Sequence, residues 1–471
     1  MTFSYADLLS LTCAEKSSSY AWLTERHVQA IWFEQKYLMS LHTKEGERIE
    51  VLSPGIWNTE AGPDFLKAHL RIGSKEWRGD IEVHLSEGSW YHHHHHQDPR
   101  YNNVILHLAF WEGIKLERII KQNGVETPSI TLEKQLIHPI KDLLPLIDLD
   151  LYPYKRTNTS GKCAEQVFKH LSDQEVKAFF ISAARWRLEQ KNRYLASRFL
   201  TKPLQMAAGI AVALGYKNNA EAFLELFSYL RAHQHRSFDE LLVISLGVCG
   251  FFEKKFKRRW QPSIYYKELE ACWDGIKHEG GPRIKLRLDR IRPLNHPIRR
   301  LVYLIKLLKD PVLEKIWPYI WDRWQTRSTW SFKQLRSVLL EQIPIYTDSY
   351  WNRHYTFESE SKGRFIPLIG EDFKMAVLVN TILPLLYKEI RQTGDPQAFE
   401  DFNQFYDSLK GLKSSKVHYL THRFFGENPR NFFSKAQLEQ GGHQLHRDFC
   451  QHYEASCLGC PFVEKQWKNP M

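Results

Sequence analysis

The sequence changes its periodicity near residue 150, and this change constrains the fold more than any other feature. Before it, short apolar segments bounded by turn residues predict three β-strands. These strands are expected at about residues 48–52, 64–72 and 77–85. Residues 104–110 form a nearly continuous apolar run, typical of a buried central strand. A helix is predicted within residues 20–40, with Thr24 as a candidate cap. The order is helix, three strands, an irregular or helical segment, and a strand.

The rest of the chain is predicted to be mainly α-helical. Residues 151–163 are rich in Pro, Thr, Ser and Gly, which indicates a linker. Beyond it, a Ser172-Asp173 cap opens a long amphipathic helix, and further helical patterns follow. We therefore expect an α/β domain over residues 1–150, a linker over 151–165 and a helical region over 166–471.

Charge is distributed unevenly along the 471 residues, whose net charge is +11. Residues 1–150 contain 15 Lys and Arg, 21 Asp and Glu, and half of the 22 His. The remaining residues carry a net charge of +17. An acidic pocket for a cation beside a basic surface for a polyanion produces such a split. A solvated surface without a binding role produces it as well.

No segment has the pattern of a membrane anchor or a secretory signal. The longest apolar runs, residues 241–252 and 375–387, are interrupted by polar residues and too short for a bilayer span. The N-terminal residues lack a basic region. Seven Cys, an odd number, argue against a disulfide framework. We expect a cytoplasmic protein with no membrane partner.

Two carboxylates in the predicted strands indicate a metal site. Alternate residues of a strand face one side, so Asp80, Glu82 and His84 share a face. If Asp64 begins the neighbouring strand, its carboxylate can lie near Glu82. Two such carboxylates suit a hard divalent ion such as Mg²⁺. In the alternative interpretation, Asp64 is a turn or cap residue, and Glu82 and His84 lie on a solvent face.

This order of elements and acids resembles the PD-(D/E)XK nucleases, whose restriction-endonuclease-like core runs helix, three strands, helix, strand. The resemblance implies that Asp64 and Glu82 bind Mg²⁺ or Mn²⁺ and that Glu25 assists from the first helix. In that family a Lys at the position of His84 positions or activates water. An imidazole can accept a proton there but lacks a permanent charge. The implied catalytic residues are Glu25, Asp64, Glu82 and His84.

The five consecutive histidines His92 to His96 support a different interpretation. Alternate histidines of an extended segment, with His84 and His107, could bind Zn²⁺, Ni²⁺ or Fe²⁺. Such a site would serve a metalloenzyme acting on a small substrate. The alternative is a polar loop that binds metal only adventitiously.

Cysteines near the C-terminus predict a second metal site. Cys450, Cys457 and Cys460 form the pattern C-x6-C-x2-C, and Pro461 follows the last Cys. Thiolates three residues apart can hold one metal. A fourth ligand is needed, and Cys163 is the candidate. The bound group would be Zn²⁺ or an iron–sulfur cluster, and the alternative is free or buried thiols.

Two basic segments are candidate contacts for the phosphates of DNA or RNA. Residues 254–260 interleave cations with aromatic residues, and residues 283–300 add further Lys and Arg. Guanidinium groups pair with phosphate oxygens, and aromatic rings stack on unpaired bases. A solvated helix face explains the same pattern. The candidate nucleic-acid-binding residues are Lys254, Lys255, Lys257, Arg258, Arg259 and Arg292.

Several motifs are spread over nearly the whole chain. They include Ala61-Gly62-Pro63-Asp64-Phe65, Gly79-Asp80-Ile81-Glu82-Val83-His84, Val104-Ile105-Leu106-His107, Arg292-Pro293 and Cys460-Pro461. Together they resemble the bacterial family catalogued as domain of unknown function 2851. The resemblance implies that the first two motifs are a family signature, and it assigns no catalytic residue.

The sequence thus predicts a metal-dependent nuclease that hydrolyses phosphodiester bonds in DNA or RNA. Two other functions remain open. One is a non-catalytic nucleic-acid-binding or scaffold protein with a nuclease-like fold. The other is a metalloenzyme that uses a histidine site on a small substrate.

Overall fold

The computed structural model describes most of the chain. The described residues are 5, 23–58, 61–112, 118–144, 147, 149, 152, 160–216, 219–276, 280–288, 293–359, 363–412, 415–427, 431–450, 457 and 460–464.

These residues belong to two compact units. The first unit comprises Met1–Phe179, Ser415–Asn431 and His443–Met471, and the second comprises Phe180–Ser414 and Phe432–Gly442. The first unit therefore includes C-terminal segments that the sequence-based division assigned to the helical region. The boundaries at residues 150 and 165 stay a prediction.

The first unit contains a mixed β-sheet. Its strands, together with a separate β7–β8 pair, are β1 (Leu41–His42), β2 (Arg48–Ser53), β3 (Ile56–Trp57), β4 (Phe65–Ile72), β5 (Lys75–Ser86), β6 (Val104–Trp111), β7 (Ile119–Ile120), β8 (Glu126–Thr127) and β9 (Ser129–Thr131). The order in the sheet is β1-β2-β4-β5-β6-β9, and β3 pairs with β4. The neighbours from β1 to β5 are antiparallel, whereas β6 is parallel to β5 and β9 is parallel to β6.

Most of the α-helices follow the sheet in sequence. The α-helices are α1 (Glu25–Glu34), α2 (Ser89–His92), α3 (Ile140–Leu143), α4 (Lys162–Gln166), α5 (Asp173–Ala196), α6 (Lys202–Leu214), α7 (Ala220–Ala232), α8 (Phe238–Val248), α9 (Lys254–Trp260), α10 (Ile264–Ile276), α11 (Pro297–Lys309), α12 (Ile316–Gln325), α13 (Phe332–Glu341), α14 (Glu371–Val377), α15 (Leu383–Thr393), α16 (Pro396–Ser408), α17 (Ser415–Phe425), α18 (Ala436–Leu445) and α19 (Pro461–Glu464). A mixed sheet followed by a largely helical region confirms the coarser fold prediction. Within the described ranges, no helix combines the length and the apolar character that a bilayer span requires.

Helix α1 begins where the sequence predicted and covers the sheet. Thr24 is its N-cap, and the Thr24 backbone N–H donates to His27 Nδ1 at 3.2 Å. Val28, Ile31 and Trp32 are fully buried in the core cluster that the sheet residues share. This packing places the first turn of α1 near the second half of β5.

Strand β5 is exposed where it begins and buried where it pairs with β6. Gly79 to His84 are all buried, because β6, apolar and buried along almost its whole length, lies beside them. Glu82 is only 6% exposed and His84 only 1%. The interpretation that Glu82 and His84 lie on a solvent face is therefore wrong.

Gly79 permits the close approach of β5 and β6. A Cβ at this position would lie 2.4 Å from Ile105 Cγ2 and 2.5 Å from the Asn103 carbonyl oxygen. Gly79→Ala is expected to lower the free energy of unfolding by about 1–3 kcal/mol, because the strands must move apart. Urea denaturation measures the change. Gly275→Ala is the control, since nothing lies within 4 Å of its Cβ position. Equal stability of the two variants would contradict this account.

Candidate metal centre

Three carboxylates that are distant in sequence meet at one end of β5. Asp64 immediately precedes β4, Glu82 lies on β5, and Glu25 is the first residue of α1. The Asp64 backbone N–H donates to Glu82 Oε2 at 3.2 Å, and the Val83 N–H donates to Asp64 Oδ2 at 2.9 Å. The charge of Glu25 helps to raise the pKa of both Asp64 and Glu82. The expected proximity of these acids is present, and their roles stay a prediction.

Four histidines cluster beside Glu82. His84 Nε2 lies 3.2 Å from His93 Nδ1, and His84 Nδ1 lies 2.9 Å from His107 Nε2. Glu82 Oε1 lies 3.2 Å from His95 Nε2 and 3.5 Å from His84 Nε2. One ring nitrogen from each of His84, His93 and His95 lies within 4.8 Å of the other two. These three histidines could hold a metal ion.

A left-handed backbone turn directs two members of the histidine run toward His84. His93 follows α2, His95 begins the short helix His95–Gln97, and His94 between them has a φ of +60°. The histidine run is therefore not extended, and this part of the prediction is wrong. His93 and His95 nevertheless point to one place. The ring of His95 stacks on Tyr101 at a centroid distance of 3.9 Å, which fixes its orientation.

Three of the six distances among the proposed donor atoms are close to the edges of a metal coordination shell. A tetrahedron with metal–ligand bonds of about 2.0–2.2 Å has edges of about 3.3–3.6 Å. The pairs His84–His93, Glu82–His95 and Glu82–His84 lie 3.2, 3.2 and 3.5 Å apart. The buried His95 Nε2 makes no hydrogen bond within the described residues, although it lies near Glu82. We call Glu82 Oε1, His84 Nε2, His93 Nδ1 and His95 Nε2 the donor set.

Burial sets the protonation states of the donor set. It lowers the pKa of His84 well below its ordinary value and that of His95 to about 4, so both rings are neutral near pH 7. Neutral imidazole is the form that binds metal. Burial raises the pKa of Glu82 and Asp64, and repulsion from neighbouring carboxylates adds to this effect. A divalent cation would reverse that effect by favouring the ionised carboxylates.

A second layer of side chains holds the donors and the acids in place. His107 lies opposite Glu82 in the parallel β5–β6 register, is fully buried, and places its Nε2 2.9 Å from His84 Nδ1. A hydrogen bond to the other ring nitrogen is the usual way to orient a histidine ligand. Gln29 Nε2 donates to Asp64 Oδ1 at 2.8 Å. Sequence reasoning missed Gln29, although it lies one helical turn after Glu25 on the same face of α1.

A family model described as "Protein of unknown function (DUF2851)" matches residues 25–415. The chain belongs to this family. The matched part of this DUF2851 protein contains the complete donor set as well as Glu25 and Asp64. No curated protein and no solved structure matches the chain. The comparisons identify no nuclease, so the nuclease resemblance stays a hypothesis.

The predicted nucleic-acid contacts of the DUF2851 chain lie mainly on α9. Lys254 and Arg258 are exposed, whereas Lys257 pairs with Glu270 and Arg259 with Glu358. The Lys255 side chain and Arg292 lie outside the described residues. The rings on α9 that were expected to stack on bases, Phe256 and Trp260, are buried in the helical core. The prediction that these two rings stack on bases is therefore wrong. The predicted contacts with phosphate stay a prediction.

The predicted cysteine site is not a compact site for a single ion. Cys163, Cys457 and Cys460 are buried, and Cys450 is partly buried. Among the described residues, no three cysteine sulfurs lie within 4.8 Å of one another. A zinc ion with four thiolates at about 2.3 Å needs sulfurs about 3.8 Å apart. The arrangement therefore does not support the prediction of zinc.

Glu25 is expected to make the stability of the metal-free chain depend on pH. Burial raises its pKa from 4.5 to about 7, although the Leu85 N–H favours the charged form. The folded chain therefore binds this proton more tightly than the unfolded chain, and stability falls as pH rises from about 4.5 to about 7. Over this pH range, the Glu25→Gln variant should lose up to about 3 kcal/mol less free energy of unfolding than the wild type.

Urea unfolding of the wild type and of Glu25→Gln, at about pH 5 and about pH 8, measures the difference. The wild type should lose more free energy of unfolding between the two pH values than the variant does. An equal loss in both chains would show that Glu25 titrates normally.

Proposed function

We propose that this protein is a metal-dependent hydrolase of phosphodiester bonds in DNA or RNA, with its metal ion held by the donor set. The observation that carries the proposal is the convergence of His84, His93 and His95 within 4.8 Å of one another, with Glu82 Oε1 3.5 Å from His84 and 3.2 Å from His95. A cluster of perturbed titratable groups of this kind is typical of functional sites.

The order of the elements supports the nuclease class. Helix α1, the antiparallel strands β2, β4 and β5, the short helix α2 and the parallel strand β6 follow the order that the nuclease resemblance implies. Asp64 stands at the start of β4, and Glu82 and His84 stand two residues apart on β5. Glu25 extends from α1 toward the same place. The proposal therefore rests in part on this order of elements and on these residue positions.

Each side chain has a role that follows from its surroundings. A divalent ion bound by the donor set would polarise the phosphate and make a bound water more acidic. His93 is the exposed member of the donor set, so substrate would approach from its side. Glu25, whose pKa is about 7, can accept a proton from water and return one to a leaving group. His107 keeps the His84 ring in the orientation that turns Nε2 toward the donor set.

The chemistry of the donors favours a transition metal over Mg²⁺. Mg²⁺ prefers oxygen ligands, whereas imidazole suits zinc, iron, nickel and copper. Three of the four donors are imidazole nitrogens. Of the two ions predicted from the sequence, Mg²⁺ and Mn²⁺, we therefore propose that Mn²⁺ supports activity better.

The same donor set also supports a second candidate function. Three neutral imidazoles and one carboxylate could serve a metalloenzyme that acts on a small substrate. The exposed edge of the site at His93 would admit such a substrate as well. The two functions differ in what is cleaved, so one assay separates them.

The decisive assay measures cleavage of single-stranded DNA, duplex DNA and RNA by chelator-treated protein with and without added Mn²⁺ or Zn²⁺. Wild-type protein should cut at least one of these polymers only with metal. Glu82→Gln and His95→Ala should each lower the rate at least about 100-fold, because each removes a ligand. His92→Ala is the matched control, since His92 belongs to the same run but lies outside the donor set.

Two results would reject the proposal. Unchanged cleavage by both Glu82→Gln and His95→Ala would show that the activity arises elsewhere. Metal binding at the donor set without cleavage of any of the three polymers would favour the small-substrate enzyme or the non-catalytic scaffold protein.

A further inference from the structure

Four cysteines from separate parts of the chain gather within the first unit. Cys163 lies on α4, Cys450 ends the segment His446–Cys450, and Cys457 and Cys460 precede α19. Cys163 Sγ and Arg423 Nε both lie close to Gly161, 3.1 and 3.2 Å from the position that a Cβ would take there. More than 280 residues separate Cys163 from the other three in sequence, so only the fold brings the four together.

A buried arginine lies among these thiols. Arg423, on α17, is 1% exposed, and its Nη2 donates to Cys457 Sγ at 2.7 Å. Arg423 also hydrogen-bonds the Cys450 side chain. Its carbonyl oxygen accepts a hydrogen bond from the Gly161 N–H at 2.7 Å, which holds the Cys163 segment in place. A cation in this position favours thiolates, the form of cysteine that binds metal.

The backbone at Cys457 and Cys460 is conformationally constrained, and aromatic rings pack next to it. Cys457 adopts a φ of +49°, a conformation that is costly for a residue with a Cβ. The Cys460 N–H donates to the Cys457 carbonyl at 3.3 Å, so the two residues form one turn. Phe462, two residues later, packs against Phe168 and Phe179 at centroid distances of 5.6 and 5.4 Å. These contacts hold α19 against residues that follow Cys163 in the chain.

The spacing of the sulfurs argues against one of the two groups that four cysteines commonly hold. No three of these sulfurs lie within 4.8 Å of one another in the described structure, which is too wide for one zinc ion. A cubane of four irons places one thiolate on each iron and so needs sulfurs set further apart. Cys460 is followed by Pro461, as is the last cysteine of many iron–sulfur binding runs.

We propose that Cys163, Cys450, Cys457 and Cys460 hold a [4Fe–4S] cluster. Each thiol releases its proton to solvent, and each sulfur forms a bond to one iron of the cluster. The iron and sulfide come from a cluster donor, and no protein residue is oxidised or reduced. The cluster joins α4 to two C-terminal segments, so it stabilises the first unit. This proposal does not depend on the proposed hydrolysis.

The test is anaerobic reconstitution of the full chain with equal amounts of ferrous and ferric iron and with sulfide, followed by analysis of bound iron, acid-labile sulfide and visible absorption. The wild type should bind about four iron and about four sulfide ions per chain and turn brown. Cys163→Ser and Cys460→Ser should each retain less than half of the iron. Cys249→Ser and Cys272→Ser are the controls and should retain all of it.

A second readout on the wild type applies even if a ligand variant fails to fold. Removal of the iron by a chelator should abolish the visible absorption and lower the melting temperature of the loaded chain, because the cluster joins α4 to two C-terminal segments. An unchanged melting temperature after chelation would overturn the proposal. So would one bound zinc without sulfide, the absence of bound iron, or full iron content in Cys163→Ser.

Discussion

The parallel pairing of β5 with β6 is the interaction on which the candidate metal centre depends. It covers the second half of β5 and so buries Glu82 and His84, while β6 contributes His107. Buried polar groups are costly unless each has a partner. The structure supplies those partners from three other places: the residues around Asp64, the first turn of α1, and the histidine run after α2. Each of these three segments is held against β5 by contacts with polar groups of that strand.

The charge balance of this centre explains why a cation fits it. Burial keeps the imidazoles of His84 and His95 neutral, whereas burial and mutual repulsion favour protons on Asp64 and Glu82. In this protonation state the centre carries little charge, which suits a buried position. A divalent ion can replace the carboxyl protons without a need to remove any from the imidazoles. The donors are thus arranged for a cation before one binds.

Part of this arrangement could be predicted from the sequence, because it depends on local patterns. The apolar run at Val104 to Phe110 indicated the central strand, and two-residue spacing placed Glu82 and His84 on one face. The rest depends on tertiary contacts that no local pattern encodes. The positive φ of His94 turns His93 and His95 to the same point, although the run of five identical residues does not distinguish them. The burial of Phe256 and Trp260 likewise follows from packing against neighbouring helices, since cation–aromatic interleaving is equally compatible with a surface segment.

X-ray absorption spectroscopy of the Mn²⁺-loaded protein tests the central claim most directly, because thiolate ligands bind this ion weakly and the cysteines do not interfere. The account predicts one ion per chain whose inner shell contains three imidazole nitrogens and a carboxylate oxygen, with any further ligands from water. His95→Ala should lose one imidazole, and His92→Ala should leave the shell unchanged. A shell made only of oxygen, or the same shell in both variants, would contradict the assignment of the donor set.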